Sequence, residues 1–442
     1  MTAALQDPTV ETFAAQFAAS EAALPGASLD WVRRFRRTGF ERFSQTGLPT
    51  PTEESWRYTS LRPLEREAFR FDPRVEQMPS IDKAPSLLPM SEGCHRLVFV
   101  NGRFHPGLST LSTLPEGAVL ETFAAALERH PDIMEAHLGR VLANDEPVAL
   151  AALNSALATD GVVLHLRAGV SLAEPIEIIH LGGVQAGLCY HPRNLFVLER
   201  GSQATVIENH RGLGEASYFS NTASEILLEE GALLRHYKQQ SEGAGGYHTS
   251  MVGCDIGARA LYDNFTLSIG ARLSRNELRA NLRGEGGECH INGAYLMRGQ
   301  QHCDNTTAIH HLVPRTSCRE VFKGVVDDGA RAVFQGRIVV HPNAQQTNGH
   351  QLSRVLLLSD KAEIDQKPEL EIHADDVLCS HGATAGDLDH DALFYLRSRG
   401  IPEAKARSIL IEAFLAEAVT TIAAEGLCPA LMTSIGHWLA DA

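Results

Sequence analysis

The chain has 442 residues, 44% of them hydrophobic and 21% charged. That is the balance of a folded protein too long for one ordinary core, so several domains or one elongated repeat architecture is expected. Thirty-nine Lys and Arg against 54 Asp and Glu leave a net charge of −15, which argues against a nucleic-acid partner, because phosphate binding depends on clustered cations.

No apolar run approaches the ~20 residues of a membrane span, and residues 1–7 lack the charged and apolar regions of a signal peptide. A cytoplasmic protein with no membrane partner is expected. The eight cysteines, at positions 94, 189, 254, 289, 303, 318, 379 and 428, include no C-x-x-C, a usage that fits reduced thiols. Cys289-His290 and His302-Cys303 pair ligand types, but neighbours in a strand point to opposite faces, so both read as incidental.

Residues 1–95 read as an N-terminal helical domain and linker. Phe13 and Phe17 give an apolar stripe among alanines, and a second helical pattern runs through Asp30, Trp31, Val32 and Phe35. Arg33, Arg34, Arg36 and Arg37 form the main basic cluster and read as a solvated helix face. Thr52 is a candidate cap for a short helix that carries Trp56, expected to be a core anchor. A proline-bearing linker covers 72–91, and a strand over 96–104 runs into the Asn101-Gly102 turn. A helical insertion is expected near 118–158.

From about 160 a turn signature recurs: a Gly or small polar residue, then alternating apolar positions. It falls at 169, 201, 231, 257, 287, 329 and 361, with spacings of 32, 30, 26, 30, 42 and 32. A drifting period near thirty without intervening helices is what a parallel β-solenoid leaves in a sequence. A β-sandwich competes, since it too strings short strands between glycine turns, but it would show varied turns. The predicted core spans 96–385. A solenoid has two open ends, so helices at both termini are expected to cover them.

The tail, 386–442, reads as a C-terminal helical domain. One helix over 389–398 stops at Gly400, and Pro402 opens another from Glu403 to about Ala424. Leu410, Ala413, Phe414 and Ala418 are expected to line one side of it. Phe394, Ile409 and Phe414, with Arg397, are the expected partner-binding surface.

The densest chemistry is Glu371-Ile-His-Ala-Asp-Asp-Val-Leu-Cys-Ser-His-Gly-Ala-Thr384. In a strand, Cys379 and His381 share a face, and thiolate with imidazole suits zinc or iron–sulfur chemistry. Two ligands fall short of the usual four. Local chemistry alone therefore favours a small thiol beside a hydrogen-bonded histidine.

Three stretches carry a resemblance: Leu356-Leu-Leu-Ser-Asp-Lys-Ala-Glu-Ile-Asp-Gln-Lys-Pro-Glu-Leu-Glu-Ile372, Ala374 to Thr384, and Leu393 to Ile401. With Pro51 to Tyr58, Val98 to Gly102 and Glu208 to His210 in support, the chain resembles the SufB/SufD family, non-ATPase subunits of a bacterial and plastid iron–sulfur assembly complex. The resemblance implies a mainly β fold: a right-handed parallel β-helix flanked by N- and C-terminal α-helical domains. It implies pairing with a SufB-like subunit through the β-helix ends, docking of a SufC-like ATPase on the C-terminal helices, and a homodimer when alone. SufB members carry a cysteine assigned to cluster building where Ala362 stands here, and a glutamate where Gly382 stands. This chain follows the SufD branch.

By that resemblance His381 matches a histidine credited with iron entry or cluster building, and Cys379 is its neighbour. The implied cargo is iron or a transient iron–sulfur cluster shared with the SufB-like partner, with none tightly bound to the isolated chain. No phosphate loop, Ser-His-Asp or H-E-x-x-H signature occurs, so a non-enzyme is expected. Two alternatives stand beside this reading. One is a passive adaptor without a metal site. The other is a carbohydrate-active β-helix enzyme using Asp327, Asp328, Asp375 and Asp376.

Overall fold

A computed structural model describes residues 8–73, 81, 85–87, 95–142, 149–424 and 426–440; most of the expected 72–91 linker lies outside them. The core is a β-solenoid of about eight coils, in which each coil contributes one strand to each of two sheets. The first sheet stacks Ala118–Thr122, Val162–Leu166, Arg193–Leu198, Tyr218–Leu228, Gly246–Ile256, Leu273–Leu282, His302–His311, Arg331–Val340 and Glu363–Ile372 in that order. The second stacks Arg103–Phe104, His95–Val100, Ile176–Gly182, Gln203–Gly212, Leu233–Ser241, Leu261–Ser268, Glu288–Met297, Ser317–Val326, Thr347–Leu357 and Val377–Gly386. Apart from two antiparallel pairings at the first end, these neighbours run parallel. The sandwich reading is excluded.

Parallel strands buried on both faces need apolar residues on both. Inward positions stack in columns such as Ala204, Leu234, Tyr262, Cys289 and Cys318, all within the central apolar cluster.

One edge of the solenoid is a ladder of turns. Gly201 donates to the Glu230 carbonyl at 2.9 Å, Gly231 to Ala258 at 2.8 Å, Gly286 to Arg315 at 3.1 Å and Arg315 to Gln345 at 2.9 Å. The left-handed turn conformation continues where glycine does not, at Arg259, Arg315 and Gln346 (φ 54°, 57° and 60°). The periodicity expected from sequence is corrected here. Positions 329 and 361 belong to the opposite edge, where Gly329 donates to the Gly299 carbonyl at 3.1 Å. The spacing of 42 spans that jump.

The helices are α1 (Pro8–Ser20), α2 (Asp30–Thr46), α3 (Arg62–Arg66), α4 (Phe123–Arg129), α5 (Pro131–His137), α6 (Ala149–Leu157), α7 (His390–Ser398), α8 (Glu403–Val419) and α9 (Leu427–Ala440). The expectation that they cover the open ends is overturned. Val10, Phe13 and Phe17 of α1 pack with Phe43 and Leu153 on Phe219, Tyr247 and Leu273, the outer face of the first sheet. From α8 and α9, Ile411, Leu415, Leu431 and Ile435 cover Tyr237, Phe265 and Leu296 on the outer face of the second. Those flanks carry large outward apolar side chains, and burying them at about 25 cal/mol per Å² directs the helices there. The last coil stays bare: Glu363–Ile372 and Val377–Gly386 each pair on one side only.

Several local expectations change. Residues 118–122 form a strand antiparallel to Val162–Leu166, not helix. Arg36 is not solvated; it is buried and donates to the carbonyls of Ala156 (3.1 Å), Ala158 (2.8 Å) and Pro25 (2.9 Å). Thr52 caps nothing regular: Trp56 ends a single tight turn over Glu54–Trp56, preceded by Glu53. Trp56 is nonetheless a core anchor, with the Arg275 guanidinium 3.9 Å from its ring centroid. The last helix divides, with α8 ending at Val419 and α9 following. Pro402 precedes α8 instead of opening it. Ile411, Leu415 and Ala418 form the buried stripe, while Ala413 is exposed.

Of the acidic pairs proposed for a carbohydrate enzyme, Asp327 and Asp328 hold turns through their carboxylates, and Asp376 is tied by its backbone. Asp328 Oδ2 accepts from Gly299 N at 3.1 Å, and the Asp376 N–H donates to Gln345 Oε1 at 2.9 Å. Among the described residues no helix is long and apolar enough to cross a membrane.

Candidate functional site at the open coil

Cys379 and His381 lie two residues apart on Val377–Gly386, the last strand of the second sheet. Both point toward the solenoid interior, where Val377 and Cys379 pack against the central apolar cluster. Cys379 is half-buried and His381 exposed. Across the mouth, Ile364 and Leu370 of Glu363–Ile372 pack on the same cluster.

Two columns descend from this mouth. Cys379 pairs in register with Gly349, Gly349 with Cys318 and Cys318 with Cys289. A methyl group added at Gly349 would sit 3.4 Å from Cys318 Sγ and 3.5 Å from Cys379 Sγ, so the glycine leaves no side chain between the two sulfurs. His381 pairs with Gln351, and Gln351 with Glu320. Gln351 Nε2 donates to Glu320 Oε2 at 2.6 Å, and Thr307 Oγ1 donates to Glu320 Oε1 at 2.6 Å.

Burial dominates the electrostatics. It pushes the Cys379 thiol up and the Cys318 thiol further. Beside Cys318, His311 Nε2 lies 3.2 Å from Sγ and Nδ1 lies 2.7 Å from Thr316 Oγ1. Burial lowers His311 to about 4, so the pair is a neutral imidazole and a neutral thiol. Burial raises Glu320 to about 7, against the lowering effect of its two hydrogen bonds. A thiol held protonated needs a cation beside it before it can ligate, since the thiolate is the metal ligand.

Residues 181–414 match the SUF system FeS cluster assembly SufBD core domain, and residues 8–178 match the SufBD protein N-terminal region. The chain belongs to the SufBD family. Among its relatives, a SufBD family iron–sulfur cluster assembly protein of Synechocystis is 33% identical over 85% of this chain and 84% of its own length. The iron–sulfur cluster assembly protein SufD of Escherichia coli is 32% identical over 95% of this chain and 99% of its own. The SufD of Bacillus subtilis is 25% identical over 92% and 93%. This SufBD protein is therefore an iron–sulfur cluster assembly protein.

The four expected partner-binding residues separate. Phe394 on α7 is 73% exposed, beside Tyr395 at 57%. Arg397 pairs with Glu403 at 3.3 Å. Ile409 and Phe414 are half-buried, and Phe414 packs at the rim of the helix cluster with the Lys323 ammonium 4.5 Å from its ring. Residue-level reading missed Cys318, Glu320 and Gln351. The available signal was spacing: Cys318 and Glu320 repeat the i, i+2 pattern of Cys379 and His381 two coils earlier.

Proposed function

We propose that this chain is the SufD-type subunit of an assembly with a SufB-like subunit and a SufC-like ATPase. In it, iron or a transient iron–sulfur cluster is handled as cargo at the SufB-like interface. The bare last coil carries the reading. Two ten-residue strands there present one unpaired edge each, and an uncovered edge is a template for adding strands from another chain. Leu378 and Ile372, 71% and 41% exposed, add apolar surface on the same coil. A homodimer uses this coil when the partner is absent.

Cys379 and His381 supply two ligands, and the partner's coil completes the set. The site is thus assembled only when the subunits meet, and nothing stays tightly bound to the isolated chain. ATP enters through the SufC-like subunit, whose docking surface is the exposed Phe394 and Tyr395 of α7. The chain itself acts as a non-enzymatic cytoplasmic scaffold. Co-expression with SufB-like and SufC-like subunits, followed by iron and sulfide analysis of the His381→Ala complex, tests the reading. An assembled complex lacking cargo supports it; full loading leaves a passive adaptor.

A further inference from the structure

Far from the open coil, part of the interior of the early coils is polar, beside the apolar cluster. Phe99, His180, His210 and Gln240 stack in register on four consecutive strands of the second sheet. The His180 ring lies between Phe99 (centroids 5.1 Å apart) and His210 (4.6 Å). His180 is 2% exposed, yet neither of its ring nitrogens has a hydrogen-bond partner among the described residues. His210 Nδ1 and Gln240 Oε1 are orphaned in the same way. Leaving buried polar atoms unpaired is costly to a fold, so an imidazole with both nitrogens unpaired points to a ligand.

The surroundings define what would fill it. Glu208 accepts from His236 Nε2 at Oε1 (2.8 Å) and lies 2.8 Å from His210 Nε2 at Oε2. His236 is itself fixed through Nδ1, 3.0 Å from the Tyr262 hydroxyl. One ligand atom each from His180, Glu208 and His210 lies within 4.8 Å of the others, and His210, Glu242 and His248 form a second such group. The second group is already satisfied: His248 contacts Lys238 Nζ at 2.8 Å and Glu242 at 3.2 Å. The first is not. His180, Glu208 and His210 are each at most 2% exposed, so bulk water does not satisfy their polar atoms.

We propose that His180, Glu208 and His210 bind one divalent first-row transition ion of the zinc or iron(II) class inside the solenoid. Two imidazoles and a carboxylate are the donors this class takes, whereas magnesium and calcium prefer oxygen alone. Bonds near 2.1 Å require ligand atoms about 3.4 Å apart. Rotation of His180, which no hydrogen bond restrains, supplies the closure. The Glu208–His236–Tyr262 chain orients the carboxylate as an outer-shell partner does. This site is intramolecular and independent of the cargo site at Cys379 and His381. Because it is sealed, the ion enters as the chain folds or opens.

The test uses the full chain, unfolded with chelator and refolded anaerobically with zinc(II), cobalt(II) or iron(II), each alone. One equivalent is expected to remain after desalting, with cobalt giving the visible bands of a nitrogen-and-oxygen site. His180→Ala, which removes no hydrogen bond, is expected to fold and to lower affinity at least tenfold. Its melting temperature should no longer rise with zinc. Asp132→Asn, at an exposed position of α5, is expected to bind within twofold of the parent, and because loading is read on the isolated chain, failure here is distinguishable from failure of the interface reading. A parent chain that retains less than a tenth of an equivalent of any of the three ions overturns the proposal, leaving a hydrated polar core. So does a His180→Ala chain that binds like the parent.

Discussion

Gln351 lies directly beneath His381 in the register of the last two strands of the second sheet. Its amide donates to the buried Glu320 carboxyl at 2.6 Å. The exposed histidine thus stands on a polar column, one residue wide, whose foot is a carboxyl near neutrality. In the neighbouring column Cys379 stands over Gly349 and Cys318. The mouth of the open coil is therefore backed by titratable groups, not by apolar packing alone.

Replacing His381 with alanine should separate chemistry from folding. The side chain is exposed, and surface changes of this kind stay within about 0.5 kcal/mol. Thermal melts and gel filtration of the complex are expected to match the parent, while bound iron and sulfide fall severalfold. A variant complex that loads fully would assign the strand a structural role only.

Cys379→Ser keeps the size and removes the soft ligand. A comparable fall in iron content is expected if the sulfur ligates, with a stability change of about 1 kcal/mol from placing a hydroxyl against the apolar cluster. A clearly weaker effect on iron than that of His381→Ala would mark the thiol as packing.

Glu320 sets a pH dependence whose sign is fixed by the direction of its shift. Its folded value, raised to about 7 from 4.5, means the folded state holds the proton more tightly than the unfolded chain. Stability is then full below about pH 4.5 and falls as pH rises toward 7, by on the order of 3 kcal/mol at most. Glu320→Gln removes the charge and keeps one acceptor oxygen, and its NH2 group donates where Glu320 accepted, so that partner must turn an acceptor toward it. It should melt like the parent at pH 5 and above it at pH 8. Identical differences at the two pH values would refute a buried, neutral carboxyl.

Leu378 is on the outer face of the last strand and 71% exposed. Leu378→Asp should leave the monomer's melt unchanged and weaken association with a SufB-like subunit at least tenfold, read by analytical ultracentrifugation. Unaltered assembly would place the interface elsewhere.

Gly324 packs against the ring of Tyr295, and a Cβ there would overlap it. Gly324→Ala forces the buried ring aside and should cost about 1–3 kcal/mol, measurable by urea unfolding. At Gly201, which a Cβ would not crowd, the penalty should come from its left-handed turn (φ 68°) alone and be smaller.

The solenoid was legible because its turns repeat. Gly169, Gly201 and Gly231 are spaced by one coil and share one backbone conformation. Where Arg259, Arg315 and Gln346 adopt that conformation without glycine, the signal fades, which is why later turns were assigned to the wrong edge. Cys379 and His381 were legible as a pair because strand alternation is local. The columns beneath them were not, since Cys318 and Glu320 meet them only through register between coils.

By itself the sequence determined the parallel coil, the helical termini, the shared strand face of Cys379 and His381 and, through the C-terminal motifs, the family. Each of these rests on short-range periodicity or a contiguous match. Only the tertiary structure decided that the helices cover the flanks and leave the last coil bare. Large apolar residues far apart in the chain, such as Tyr247 and Leu273 or Tyr237 and Leu296, gather on one outer surface only after the coils stack. The same stacking buries His180, Glu208 and His210 together, because a register of roughly thirty residues per coil sets side chains from different coils one above another.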